Sequence, residues 1–322
     1  MKEIKTIGVL TSGGDAPGMN AAVRAVVRAG LDKGLKVYAI QRGYAGLING
    51  DVTEMHYTSV SNIINRGGTV LHSARCLEFK EDAGVEKAKN SCLRIGLDGV
   101  VVIGGDGSFR GASDLSKKGI PCIGIPGTID NDIACSDITI GFSTALNTAM
   151  DNIDKLRDTS QSHDRCSVVE VMGRRAGHIA LNVGIACGAT AIVVNEIPYD
   201  FEDVISRIRE SQKLGKKHFI IVVSEGVTDV HAMAKDIEKV TGIETRATVL
   251  GHIQRGGTPS VEDRVLATRM GWHAVELLSK GIGDRVIAEK AGKIIDLDIQ
   301  EALKMNKSID KEVLDMANRI SL

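Results

Sequence analysis

The stretch PGTIDNDIACSD, residues 126–137, sets Asp130, Asp132 and Asp137 within eight residues, directly after the apolar run IPCIGI. If residues 128–132 are extended, Thr128, Asp130 and Asp132 project to one side, because side chains alternate along a strand. Carboxylates that close raise one another's pKa and are costly unless a metal, an arginine or a reacting proton occupies the space between them. The pattern therefore fits proton removal beside a bound cation, and it equally fits a solvated Asx-turn loop without chemistry. A second acidic loop, VVIGGDGSFRGASDL, holds Gly104, Gly105, Asp106 and Gly107 between an apolar strand and a helix opened by Ser108. Asp106 among glycines can set a carboxylate beside backbone amides, suited to phosphates with Mg²⁺, or it can cap the helix. A third loop, TSGGDAPGMNAAVRAVVRAG, runs from Gly13 and Gly14 through Pro17 and Gly18 into a helix. It can cradle a phosphate or serve as a tight βα turn, and it matches neither dinucleotide nor P-loop fingerprint.

Anions held there need cations, and several arginines lie in glycine-rich or turn contexts. They are Arg75 in HSARC, Arg165 and Arg174 in SHDRCSVVEVMGRRAGH, Arg246 in ETRATVL, and Arg255, with His252, in GHIQRGGTPS. A planar guanidinium matches phosphate oxygens bidentately, so several converging on one point fix a sugar phosphate in one orientation. Singly, each is more often a surface ion pair.

These loops need strands and helices to position them. Short aliphatic runs, IGVL at 7–10, VVVI at 100–103, CIGI at 122–125, AIVV at 191–194 and FIIVV at 219–223, read as buried parallel strands. Between them lie helical spacings such as Ala145, Leu146, Ala149, Met150, Ile153 and Leu156. The alternation predicts an α/β fold with ligands at the carboxyl ends of mostly parallel strands. From about Asp284 the chain reads as a hairpin around Gly292 followed by a polar amphipathic helix.

Composition narrows the partners. With 40 Lys and Arg against 41 Asp and Glu in 322 residues, no global field draws the chain to nucleic acid or anionic lipid. An aromatic content of 3% leaves few rings for stacking bases. The six cysteines form no C-x-x-C pair and suggest neither a zinc site nor a disulfide framework, which fits a reducing cytoplasm. Neither a signal-like segment nor a membrane-length apolar run is present, so a cytoplasmic protein is expected.

Together TSGGDAPGMNA, GGDGSFRGA, PGTIDND, MGRRAGH and GHIQRGG, in this order, closely resemble the bacterial ATP-dependent 6-phosphofructokinase family. The likeness covers nearly the whole chain and weakens beyond about residue 285. It implies two similar three-layer α/β domains with the active site in the cleft between them. The implied larger ATP and Mg²⁺ domain is 1–141 plus 254–307, and the smaller sugar-phosphate domain 142–253 plus 308–322. It implies a homotetramer acting on fructose 6-phosphate and ATP. Asp130 matches the base that deprotonates the sugar's 1-hydroxyl, with Thr128 and Asp132 beside it, and Arg174 matches the residue that neutralises the moving phosphoryl group. Gly14, Tyr44, Arg75, Cys76, Gly105, Asp106, Gly107 and Ser108 match the ATP site, Asp106 being the Mg²⁺ position. Thr128, Ile129, Asp130, Arg165, Met172, Gly173, Arg174, Glu225, Arg246, His252, Ile253, Gln254 and Arg255 match the sugar-phosphate contacts, with Arg165 and Arg246 reaching in from a neighbouring subunit.

Gly107 and Gly127 leave space for a nucleotide's inner phosphate where pyrophosphate-dependent relatives carry Asp and Lys, so ATP is the expected donor. Arg24, Arg28, Arg157, Gly188, Lys216, Lys217 and His218 match an effector site for ADP and phosphoenolpyruvate. Tyr57, Leu214 and Thr190 depart from its usual residues, so weak or altered regulation is expected. A pyrophosphate-dependent enzyme, another kinase with a GGDG loop, a dehydrogenase and a non-catalytic sugar-phosphate sensor are the competing readings.

Overall fold

The aliphatic runs fold as strands in a computed structural model that describes residues 3–321. In chain order the first elements are β1 (Thr6–Thr11), α1 (Met19–Asp32), β2 (Lys36–Ile40), α2 (Gly43–Asn49), β3 (Val52–Glu54), α3 (Asp82–Ile95), β4 (Gly99–Gly104) and α4 (Asp106–Lys117). Next come β5 (Cys122–Pro126), α5 (Phe142–Ser162), β6 (Cys166–Val171), α6 (His178–Ala186), β7 (Ala191–Val193) and α7 (Phe201–Lys213). The chain closes with β8 (Phe219–Ser224), α8 (Val230–Thr241), β9 (Thr245–Val249), α9 (Val261–Ser279), β10 (Arg285–Lys290), β11 (Lys293–Asp298), α10 (Ile299–Ala302) and α11 (Lys311–Ile320).

Two units result. The first comprises Met1–Ile129, Ile133–Thr144 and Arg255–Lys307, and the second Asp130–Asp132, Ala145–Gln254 and Ser308–Leu322. The sheet of the first unit has the order β11-β10-β5-β4-β1-β2-β3. Its interior pairings are parallel, while β3 and β11 join antiparallel at the edges. Every residue of β4 is buried, as required of a strand covered by helices on both faces. Leu10, Val100 and Val102 pack under Tyr44, Leu47, Phe109 and Leu115 on one face. On the other, α1 and α9 lie against the sheet and each other. Gly271 permits that approach, since a Cβ there would come within 2.7 Å of the Ala25 Cβ and 3.0 Å of the Ala22 carbonyl oxygen. At the outer end of this pair Lys33 bonds Glu276 at 2.5 Å and sits 5.8 Å over the ring of Trp272, the sole tryptophan. The β10–β11 hairpin turns at Gly292, whose φ is +80°.

The second unit holds a parallel sheet of order β7-β8-β6-β9. Cys166, Val168, Ile221 and Val223 form a core with Val204 and Ile208 of α7 and Met233 and Ile237 of α8. In the first sheet β1 lies between β2 and β4; in the second β6 lies between β8 and β9. Each is a point where strand order reverses, and the crevice outside the carboxyl ends there is where α/β sheets bind ligands. Among the described residues no helix is long and apolar enough to cross a membrane.

One local expectation is overturned. Residues 128–132 are not an extended strand: the chain bends at Ile129 and Asp130, and Asn131 is left-handed with φ +52°. Strand alternation therefore does not orient Thr128, Asp130 and Asp132. The loop is instead closed at its base by backbone pairing, described below.

Candidate active site

In the first unit the loops after β1, β4 and β5 leave the sheet side by side. Thr11 pairs with Ile103 and Gly104 with Pro126; the Ser12 and Gly127 amides donate to the Ile103 and Gly104 carbonyls, each at 2.9 Å. Helix α4 begins at Asp106 rather than Ser108, with Gly105 as its N-cap and no side-chain acceptor there. Asp106 does not cap the helix; its carboxylate, partly exposed, accepts from Arg110 Nε at 2.9 Å one turn on. A Cβ on Gly105 or Gly107 would meet nothing within 4 Å. The amide donors and positive end of the α4 dipole thus open onto free space, the arrangement that receives a phosphate. Tyr44 is buried, stacked on Phe79 with centroids 4.0 Å apart, and its hydroxyl donates to the Ser108 carbonyl at 2.6 Å. That bond lets Tyr44 brace the first turn of α4, and burial pushes its phenol well above the usual range. Arg75 is exposed and Cys76 half-buried beyond Leu71. Arg255 lies on the glycine loop: its Nη1 donates to the Asp15 carbonyl at 3.3 Å, and a Cβ on Gly14 would sit 2.6 Å from that nitrogen.

Gly107 and Gly127 differ in their surroundings. Gly107 faces open space, but a Cβ on Gly127 would lie 3.0 Å from Ile103 Cγ2 and 3.2 Å from Met19 Cε. Gly127 packs against its own core, so of the two only Gly107 opens onto space for an inner phosphate.

The acidic loop is closed at its base. Gly127 pairs with Ile140, the Thr128 amide donates to the Ile140 carbonyl at 3.0 Å, and Thr139 Oγ1 donates to the Thr128 carbonyl at 2.7 Å. Between these ends Thr128 and Asn131 are buried, Ile129 is fully so, and Asp130 is 5% exposed. Asp137, third carboxylate of the stretch, serves as an anchor. It accepts from Lys290 Nζ at 2.7 Å and the Ala291 amide at 3.0 Å, while Lys307 Nζ donates to the Ser136 carbonyl at 2.7 Å.

In the second unit the turn after β6 carries Met172, Gly173 and Arg174, with φ +146° at Gly173 and +61° at Arg174. A left-handed non-glycine residue needs outside support, and several groups supply it. The Arg174 amide donates to the Glu225 carboxylate and its carbonyl accepts from Asn195 Nδ2 at 3.5 Å. The Gly177 amide donates to Glu196 at 2.9 Å, and the Met172 amide to Oε1 of fully buried Gln254 at 2.9 Å. Arg174 Nη1 lies 3.5 Å from Asp132 Oδ2. Burial, then the Glu225 carboxylate, pushes Glu170 on β6 above its ordinary range. Arg165 Nε and Arg246 Nη2 both pair with Glu244, at 2.8 Å and 2.5 Å, and Arg165 first holds that carboxyl below its usual range. His252 and Ile253 are exposed. Asn195, Glu196, Glu170 and Glu244 were not singled out by sequence; the signal for the first two was a polar pair just after the buried run AIVV.

The remaining basic residues form two groups. On α1, burial and then Arg28 lower Arg24. In the second unit Lys216 is lowered by burial and then Arg157, and His218 by burial, then Arg157 and Lys216. Arg157 donates to the Cys187 carbonyl beside Gly188, Lys217 is exposed, and Thr190 is fully buried.

A sequence model of the phosphofructokinase family matches residues 6–278. The chain belongs to the phosphofructokinase family. It is 58% identical over 318 residues to the ATP-dependent 6-phosphofructokinase of Clostridium botulinum strain Hall, covering 99% of this chain and 100% of that one. Against the Clostridium acetobutylicum ATP-dependent 6-phosphofructokinase it is 57% identical over the same shares. The solved phosphofructokinase of Saccharomyces cerevisiae superposes with a TM-score of 0.87 at 34% identity, over 98% of this chain and about half, 48%, of the yeast chain. A pyrophosphate-dependent phosphofructokinase from Marinobacter aquaeolei, 22% identical, shares the fold with a TM-score of 0.85 over 98% of this chain and 91% of that one. The phosphofructokinase match takes in the three strand-end loops and the Arg174 turn; the hairpin that anchors Asp137 lies beyond it.

Proposed function

We propose that this phosphofructokinase transfers the terminal phosphoryl group of ATP to the 1-hydroxyl of fructose 6-phosphate, giving fructose 1,6-bisphosphate and ADP in the committed step of glycolysis. The observation that carries the reading is the pairing of neighbouring strand ends, one leading to the uncapped, open start of α4 and the next to the loop with buried Asp130. Phosphoryl transfer has a loose transition state, so positioning and electrostatic stabilisation do most of the work. Asp130 takes the proton of the 1-hydroxyl, Thr128 and Asp132 steady the transferring group, and Arg174 meets its spread negative charge. Gly14, Gly105, Gly107 and Ser108 receive the nucleotide phosphates, with Arg75 and Cys76 beside the nucleotide. Met172, Gly173, Glu225, His252 and Arg255 hold the sugar phosphate, joined by Arg165 and Arg246 from a neighbouring subunit of a tetramer.

Mg²⁺ fits this donor set. Asp106 offers a partly exposed hard oxygen beside open backbone, and no group of three or more His, Cys, Asp or Glu able to hold an ion occurs among the described residues. That suits an ion bound mainly through phosphate oxygens and water with one protein carboxylate. When bound, it neutralises charge on the phosphates. The basic group around Arg157, Lys216 and His218 is the proposed effector-facing surface for ADP or phosphoenolpyruvate, with weak regulation because Tyr57 and Leu214 add no charge to it. The enzyme acts in the cytoplasm.

The test is ADP release from ATP with and without fructose 6-phosphate, with pyrophosphate assayed in parallel. Release that depends on the sugar phosphate is expected; activity with pyrophosphate alone would replace ATP as the donor.

A further inference from the structure

Asp263, at the third position of α9, is a fully buried carboxylate outside every group assigned above. Its Oδ1 accepts from the Gly141 amide at 2.7 Å, and Oδ2 from the Thr144 amide at 2.8 Å and the Thr144 hydroxyl at 2.5 Å. Ser260 Oγ donates to Oδ2 at 3.3 Å, and the Ser260 amide donates to Thr144 Oγ1 at 2.9 Å. Ser260 caps α9 in the ordinary way, accepting from the Asp263 amide at 3.2 Å. In a capping box the residue at Asp263's place would reach back to the cap's own amide. Here it reaches across to the amides that open α5, so one carboxylate serves two helix starts.

Gly141 directly follows, and Thr144 lies four residues beyond, Ile140, which with Thr139 closes the base of the acidic loop. The glycine loop after β1 rests on the same place. A Cβ on Gly141 would lie 2.7 Å from the Ala16 Cβ, and one on Gly18 2.7 Å from Ile140 Cγ2 and 3.3 Å from the Asp263 Cβ. We infer that Asp263 is a positioning residue for phosphoryl transfer, holding the 139–144 segment so that the loop carrying Thr128 and Asp130 keeps its shape against the glycine loop. Desolvation pushes the Asp263 carboxyl up while the Thr144 and Gly141 donors pull it back, as expected of a buried acid held by hydrogen bonds.

The inference rests on the proposed kinase reaction, so the wild-type enzyme is assayed first. A wild type without sugar-phosphate-dependent ADP release counts against that reaction, whereas the amide-exchange readout below still tests Asp263. Asp263→Asn keeps the shape but sets an amide donor against backbone donors. Its kcat should fall about 10- to 100-fold, the cost of a small misplacement of reacting groups, with KM for ATP unchanged. Amide hydrogen exchange should quicken at residues 127–144 and in the first turn of α9, and not through the rest of the chain. Thr144→Val, which puts a methyl where the hydroxyl bonds Asp263 and the Ser260 amide, should lower kcat roughly threefold with the same local pattern. A folded Asp263→Asn enzyme with kcat within about twofold of wild type, or exchange that rises throughout the chain, overturns the assignment. So does an Asp263→Asn chain that fails to fold alongside a Thr144→Val enzyme of wild-type kcat.

Discussion

Asp130 sits, 5% exposed, in a bend of a loop whose backbone is closed at its base by the Gly127–Ile140 and Thr128–Ile140 pairings. A positioned base contributes about 10² to 10⁴ in rate. Asp130→Asn should therefore lower kcat by that factor and leave KM for fructose 6-phosphate nearly unchanged; a variant keeping most of its kcat assigns the base elsewhere. Asp137 has a different part and a different signature. The Lys290 ammonium, then the Ala291 amide, hold its carboxyl below the ordinary value of 3.8. A lowered folded pKa means stability fully present above the unfolded value and lost as pH falls through the folded one. Because the pair is half-exposed and screened, Asp137→Asn should cost less than about 1 kcal/mol at neutral pH. In urea titrations the gap from wild type should close below the ordinary carboxylate range. The sequence showed three aspartates in one short stretch, but not that one of them is tied to a hairpin more than a hundred residues away.

The strands were readable because a doubly covered strand must be apolar throughout, and VVVI and FIIVV meet that demand without help. The glycine loops were equally plain, since each directly follows such a run. What escaped was whatever long-range contact decides. Residues 128–132 looked extended, but the Thr128–Ile140 closure bends them. Asp106 looked like a possible cap, but α4 starts one residue after Gly105 and turns the carboxylate to Arg110. Gly271 was not singled out by the sequence, yet it is the point where α9 meets Ala22 and Ala25 of α1. Filling it forces those helices apart. Gly271→Val should cost about 1–3 kcal/mol, read as a lower urea midpoint by circular dichroism, and a variant of unchanged midpoint would show the pair to be loosely packed.

At the scale of the whole molecule the proposed roles divide between the units, with nucleotide residues mostly in the first and sugar-phosphate residues mostly in the second. The proposed donation of Arg165 and Arg246 between subunits makes substrate affinity depend on assembly. Diluting the enzyme until gel filtration shows dissociation should raise KM for fructose 6-phosphate, with less effect on KM for ATP; a KM indifferent to dilution would keep both arginines within their own subunit. Trp272 adds a practical handle. Because the one indole of the chain lies on α9 under the Lys33 ammonium, emission excited selectively at tryptophan, beyond the tyrosine absorption band, reports on the first unit alone. Comparing that emission with far-ultraviolet ellipticity during denaturation distinguishes a concerted melt from two successive ones without any engineered dye.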